Sequence, residues 1–258
     1  MTRVQDPLAP VASAYTDVVE GLAGAATGRT RRGAGGTLLA VTGAPVASLN
    51  GILAPALEPD AVEMAALAAS EPWDVPWSIY VRGVPGAEVT EVAAQYGLTR
   101  FDRTPLMIRN AAEGMPPEPV DGSLTVRALG GGELGLYAEV MAEGFEAPYE
   151  FFGMFADPAV ARIEGFTCYL AEVDGVPVGT GLGAVSGGLT GIFNISTLPE
   201  YRRRGYGRAV TMEIVRAGHA AGATTAYLYA SSMGESVYAS AGFRTEEQLT
   251  MISAPPQA

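Results

Sequence analysis

Hydrophobic positions along this chain recur with two periods, and the switches between them mark the elements. FTCYLAEV (166–173) and VPVGTGLGAV (176–185) are apolar runs flanking Asp174-Gly175, a dipeptide suited to a tight hairpin turn. LTGIFNIST (189–197) follows as a third strand and is ended by Pro199. From Arg208 the period lengthens. Val210, Ile214, Ala217 and Ala221 share one helical face, and Gly222 is placed to cap its end. TTAYLYA then reads as a strand, ESVYASAG as a short helix stopped by Gly242, and FRTEEQLTMIS as a closing strand. Ahead of these, residues 133–145 have helical spacing, with Leu136, Val140 and Ala142 near one stripe. The predicted order for this half is helix, three antiparallel strands, helix, strand, helix, strand.

The first half repeats the later part of that order. GTLLAVTG and VASLNGILAP predict paired strands, EPDAVEMAALAAS a helix opened by acidic residues, and PWSIYVRG a strand. AEVTEVAAQYGL is a second helix and PLMIRN a final strand. Between the halves, residues 110–123 (NAAEGMPPEPVDGS) place adjacent prolines among small and acidic residues, which reads as a linker. The expected division is residues 1–112 and 121–258, each of ordinary domain size. The expected fold class is α/β (α+β), with a mixed, largely antiparallel central sheet flanked by helices, and duplication is expected from the shared element order.

Composition narrows the chemistry. The chain has 258 residues, 28 acidic against 16 basic side chains, and a net charge of −12. Every basic residue is arginine, which excludes a pyridoxal Schiff base and a phosphate-loop lysine. The acidic balance argues against general nucleic-acid binding, which needs a basic face. One cysteine and one histidine leave no internal disulfide and no cysteine- or histidine-rich metal site. No apolar run approaches the roughly 18 residues of a membrane span, and MTRVQDPLAP has no secretory pattern. The expectation is a soluble cytoplasmic protein with no metal and no membrane or nucleic-acid partner; a homodimer is left open.

Against that acidic background, YRRRGYGRAV (201–210) concentrates arginine and bare backbone at a strand-to-helix turn. The first N–H groups of a helix lack intrahelical partners, and glycines let that backbone approach an anion closely. Such a turn can cradle a pyrophosphate. A solvated basic helix start has the same look, so context must decide. NISTLPEYRRRGYGRAV followed by SSMGESVYASAGF resembles the GNAT superfamily of acyl-CoA-dependent N-acyltransferases. The R-x-x-G-x-G turn is similar to that family's CoA-pyrophosphate loop, Thr197-Leu198-Pro199 to the end of its splayed strand, and Tyr238–Phe243 to its tyrosine helix. The resemblance covers the second half well and the first only in element order, as in a tandem domain protein with a degenerate N-terminal copy.

The resemblance implies an acetyl-CoA cosubstrate and direct attack by an amine of a small molecule or peptide. It implies that Ile195, Ser196 and Thr197 hold the pantetheine and thioester. Arg202, Arg203, Arg204, Gly205, Tyr206, Gly207 and Arg208 would hold the pyrophosphate, and Tyr238 would be the general acid for the thiolate. Ser231 stands where the family often has asparagine, which leaves its contact with pantetheine in doubt. A base is required for a neutral amine; Glu146, Glu150 and Glu172 are candidates, and Asn194 could orient water.

Other residues carry plainer readings. Cys168 lies mid-strand, as a buried inert thiol does, and His219 reads as a solvated helix residue. GTGLGA (179–184) fits a loose dinucleotide pattern but is followed by strand-like sequence with no helix, so a nucleotide fold is rejected. The aromatic segment 144–155 (GFEAPYEFFGMF) fits core packing, while the resemblance implies that it lines an acceptor site, in which case the acceptor has an apolar body. Two other functions stay open: a non-catalytic acyl-CoA-binding sensor or assembly module, and a related CoA reaction such as thioester decarboxylation.

Overall fold

A computed structural model describes residues 6–25, 28–114 and 123–256. The chain divides into two compact units: one formed by residues 1–105 with 247–258, the other by 106–246. The linker expected at 110–123 does not mark this division, and its residues 115–122 lie outside the described residues. The chain passes from one unit to the other within strand Arg100–Asn110 and returns within strand Arg244–Ser253. A reading by sequence position alone could not divide a continuous strand.

The first unit opens with helix α1 (Ala9–Ala25) and strand β1 (Arg29–Arg32), neither of which the sequence pattern had flagged. The reason in β1 is plain: RTRR is exposed at every position and carries no apolar signal. Strands β2 (Leu38–Val41) and β3 (Asn50–Ala54) pair antiparallel. Helix α2 (Ala61–Ala69) follows; its cap Asp60 accepts the N–H groups of Val62 and Glu63. Strand β4 (Ser78–Arg82) then pairs parallel to β3, and helix α3 (Ala87–Gln95) follows. Leu249–Ser253, from the last strand, pair antiparallel with β4. The core gathers Ile52, Met64, Leu67, Ile79 and Val92 beside the stacked rings of Trp73 and Trp77.

In the second unit, β5 (Arg100–Asn110) contributes Leu106–Asn110. It continues with β6 (Leu124–Ala128), helix α4 (Leu134–Gly144), β7 (Phe166–Val173), β8 (Val176–Ser186) and β9 (Leu189–Thr197). Helix α5 (Tyr206–Ala220), β10 (Thr225–Tyr229), helix α6 (Glu235–Ser240) and the start of β11 (Arg244–Ser253) complete it. Strands run in the order β5, β10, β9, β8, β7, β6, antiparallel except for β9 beside β10. The hairpin turn carries positive φ at both Asp174 and Gly175, as its dipeptide predicts. Strand β6 escaped the pattern reading because it is an edge strand without a fully buried position. In α4 Val140 and Ala142 are buried as expected, together with Leu134, Tyr137, Ala138 and Met141, while Leu136 is exposed.

The rejected GTGLGA motif has a packing role inside β8. A Cβ on Gly181 would lie 2.5 Å from Val210 Cγ1, and one on Gly183 would lie 2.9 Å from Ile214 Cγ2. These glycines let α5 lie directly on the sheet. His219, expected on a solvated face, is instead half-buried, and burial with the nearby Arg109 charge holds its pKa below the usual value.

Candidate active site

The site is made where two parallel strands part. β10 pairs with β9 only at Thr225, Ala226 and Tyr227, opposite Leu189, Thr190 and Gly191. β9 continues to Thr197 along β8, with one extra residue bulged out between Leu182 opposite Phe193 and Thr180 opposite Ser196. Asn194, at the bulge, takes a φ of 54°, and its carbonyl accepts the Thr180 hydroxyl at 2.8 Å. Past the bulge, Leu198 N–H donates to Val178 O on the β8 side. Alternation then turns the backbone of Ile195 and Thr197 toward the side that β10 has left. Ser196 points the other way: it is buried and its hydroxyl pairs with Thr180 at 2.7 Å, so only its neighbours present polar backbone to the gap.

Directly after this opening comes the arginine–glycine turn. Arg203 and Gly205 take left-handed φ values of 65° and 87°. Gly205 caps α5, and the first helical hydrogen bond runs from Ala209 N–H to Gly205 O, so the N–H groups of Gly207 and Arg208 lie ahead of it. Two of the four arginines are engaged locally. Arg202 donates from Nε to Thr197 O at 3.2 Å and from Nη2 to Gly144 O at 2.9 Å, and its Nη1 lies 2.7 Å from Glu146 Oε2. Arg204 donates to Glu200 O and sits over the Tyr201 ring. Arg203 and Arg208 make no ion pair among the described residues, so they remain available to an anion. Tyr206 is buried and serves the core.

α4 closes the other side. Gly144 packs so closely that a Cβ there would lie 2.5 Å from Ser196 Oγ and 3.4 Å from Thr197 N. That contact, with the Arg202 bonds, sets Glu146 beside the end of β9. Glu150 is exposed on a short 3-10 turn (Tyr149–Phe151). Glu172 is elsewhere in kind: both its oxygens accept from Arg127, which also binds Glu133, tying β6, β7 and the start of α4. With both oxygens so held, Glu172 is a structural partner and not a free base. Asn194 lies beside the buried Tyr137 hydroxyl beneath α4.

Tyr238 lies on α6 with its ring edge-on to Phe243 at 6.1 Å and against the Gly234 backbone, where a Cβ would collide with it. Burial pushes its hydroxyl up to about 12. Ser231 is used locally: its carbonyl and hydroxyl both accept the Gly234 N–H, capping the turn into α6, so the expected pantetheine contact has a competitor. Cys168 is buried, as expected, and burial pushes its thiol up to about 12.

The acetyltransferase (GNAT) domain model matches residues 164–245, the stretch that contains the parted strands and the glycine-rich helix start. Over those residues the chain is similar to that domain family. The whole chain is similar in fold to a GCN5-related N-acetyltransferase from Kribbella flavida, with TM-score 0.68, 20% identity and 98% of each chain covered. A GCN5-related N-acetyltransferase from Sphaerobacter thermophilus gives TM-score 0.55 at 18% identity, covering 76% of this chain and 66% of that one. A functionally unknown conserved protein from Staphylococcus epidermidis gives 0.60 at 12%, covering 89% and 95%. At such identities the likeness establishes the fold alone. Comparison with curated proteins finds no significant sequence match.

The first unit offers a contrast to this arrangement. There β3 and β4 stay paired through Ala54 opposite Val81. The next residue, Arg82, is buried; it donates to Pro55 O at 3.1 Å and binds the carboxylates of Asp6 and Glu247. The strand ends are clasped together where those of the second unit part. No arginine or glycine pair precedes α2.

Proposed function

We propose that the second unit transfers an acetyl group from acetyl-CoA to an amine, without a covalent enzyme intermediate. The observation that carries this reading is the parting of β9 and β10 immediately before a helix start where the N–H groups of Gly207 and Arg208 precede the first intrahelical bond and where Arg203 and Arg208 make no ion pair among the described residues. Acetyl-CoA, when bound, supplies the acetyl thioester. The Gly207 and Arg208 N–H groups, with the Arg203 and Arg208 side chains, suit its pyrophosphate. The backbone of Ile195 and Thr197 suits the pantetheine and the thioester carbonyl. A C–N bond forms as the amine attacks that carbonyl, and the C–S bond breaks. Glu146, directly or through water, accepts the amine proton, and Tyr238 donates to the departing sulfur.

The clasped strands of the first unit support a tandem arrangement in which only the second copy binds the cosubstrate. Calorimetry of the full chain with acetyl-CoA, beside a thiol-release assay over an amine panel, tests the proposal. One site per chain and amine-dependent thiol release are expected. Two equivalent sites would overturn the asymmetry. Tight binding without thiol release from any amine would make the protein an acyl-CoA-binding module.

A further inference from the structure

The segment after α4 is neither wholly core nor wholly surface. Phe155 is 1% exposed and packs edge-on to Tyr137, as core aromatics do. Phe145 and Tyr149, by contrast, are each 44% exposed. Phe145 stacks on Phe152, with ring centroids 5.4 Å apart and planes 29° from parallel. This aromatic step has a defined place, because its preceding residue, Gly144, is the one that touches Ser196 and Thr197 at the end of β9. The surrounding charge is lopsided: Glu143, Glu146 and Glu150 are all exposed, and Arg202 is the guanidinium that pairs with Glu146.

We propose that the acceptor is a primary amine carried on a flat apolar body, its ring against Phe145 and Phe152 and its ammonium drawn toward Glu146 and Glu150. The proposal rests on the acetyltransferase reading of the same cleft. A stacked pair with Phe145 exposed and Phe152 half-buried offers area and a π-face to an aromatic or cationic group. The acidic rim favours a cation and repels a carboxylate, so an amino acid with a free carboxyl is disfavoured. A long polycation satisfies the rim but leaves the rings uncovered.

The experiment compares 2-phenylethylamine, ethanolamine, spermidine and phenylalanine as acceptors with the full-length protein, acetyl-CoA and a thiol-release readout. The highest kcat/KM is expected for 2-phenylethylamine. In Phe145→Ala, KM for 2-phenylethylamine should rise about 3- to 30-fold, the range of an aromatic or cation–π contact, while KM for acetyl-CoA holds. Phe152→Leu gives a second test should the first variant fold poorly, and the wild-type panel needs no variant. Preference for spermidine, ethanolamine or phenylalanine, or an unchanged KM in a folded variant, overturns the proposal. If calorimetry shows no acetyl-CoA binding, the transferase reading itself falls. If acetyl-CoA binds and 2-phenylethylamine does not accelerate thiol release, the acceptor proposal alone falls.

Discussion

Gly191 and Tyr227 are the last residues at which β9 and β10 lie side by side. β10 continues to Tyr229 along β5, and β9 continues to Thr197 along β8, so each strand keeps a partner on its outer side while the inner sides separate. A sheet rarely leaves inner backbone groups without a partner, because each unpaired buried amide is costly. Here the gap is lined by Ile195 and Thr197 and faces the α5 N-terminus.

Gly207 lies at the floor of that gap. A Cβ there would sit 3.5 Å from both Ile195 Cγ2 and Thr197 Oγ1, an ordinary contact, and its φ is not left-handed. Alanine therefore fits the folded protein, and replacing glycine inside a helix stabilises by up to ~1 kcal/mol. Gly207→Ala should raise the melting temperature while weakening acetyl-CoA binding. Gly207→Val should keep the fold and lower affinity further, by at least about tenfold, since its γ-carbons enter the pyrophosphate approach. Calorimetry beside thermal melts checks both; affinity unchanged in a folded Val variant would make the turn an ordinary helix start.

Most of the second unit was legible because its strands are buried on both faces or end in glycine and proline signals. What escaped was set by contacts. Gly181 and Gly183 look like a nucleotide motif in sequence, and only the approach of Val210 and Ile214 reveals them as a seat for α5. Glu172 is one of many carboxylates until Arg127 is seen across the strand pair. The handing over of Leu106–Asn110 and Leu249–Ser253 between units left no mark, since a strand's composition does not name its partner. The splay at Gly191 was expected only through family resemblance.

Arg202 and Glu146 separate two kinds of stabilisation. Their side chains are 37% and 61% exposed, so the ion pair itself contributes at most ~1 kcal/mol. The two bonds from Arg202 to the carbonyls of Thr197 and Gly144 are partly buried. Glu146→Gln should therefore shift stability by less than ~1 kcal/mol. Arg202→Leu should cost about 1–3 kcal/mol, through carbonyls left without donors. Denaturant unfolding of both variants tests the order, and equal losses would show that the ion pair dominates.

Cys168 is the single thiol and supplies a readout that needs no substrate. With burial pushing it up to about 12, the folded protein holds almost no thiolate at pH 8, whereas an exposed cysteine near ~8.5 holds a substantial fraction. Iodoacetamide at pH 8 should modify the native protein at least ~10²-fold more slowly than the urea-unfolded chain. Comparable rates would mean that the β7 region opens readily or that the thiol is activated.

Tyr238 is the residue whose proposed role is most open to measurement. At about 12 its hydroxyl stays protonated throughout the neutral range, so it is always ready to donate. A phenol near that value is nevertheless a weaker acid than an alkyl thiol near ~8.5, and complete proton transfer to the sulfur is uphill. The effective contribution is then a hydrogen bond to the developing negative charge, with the proton following as the thiolate departs or coming from solvent. That argument places the loss in Tyr238→Phe at the low end of general-acid effects, about 10²-fold in kcat, with acetyl-CoA affinity nearly unchanged because the ring and its contact with Phe243 remain. For the same reason no basic limb assignable to Tyr238 should enter the pH–rate profile below about pH 11. Turnover of wild type and variant under conditions where chemistry limits the rate decides the matter. A Phe variant retaining more than roughly a third of wild-type turnover would make Tyr238 a packing residue.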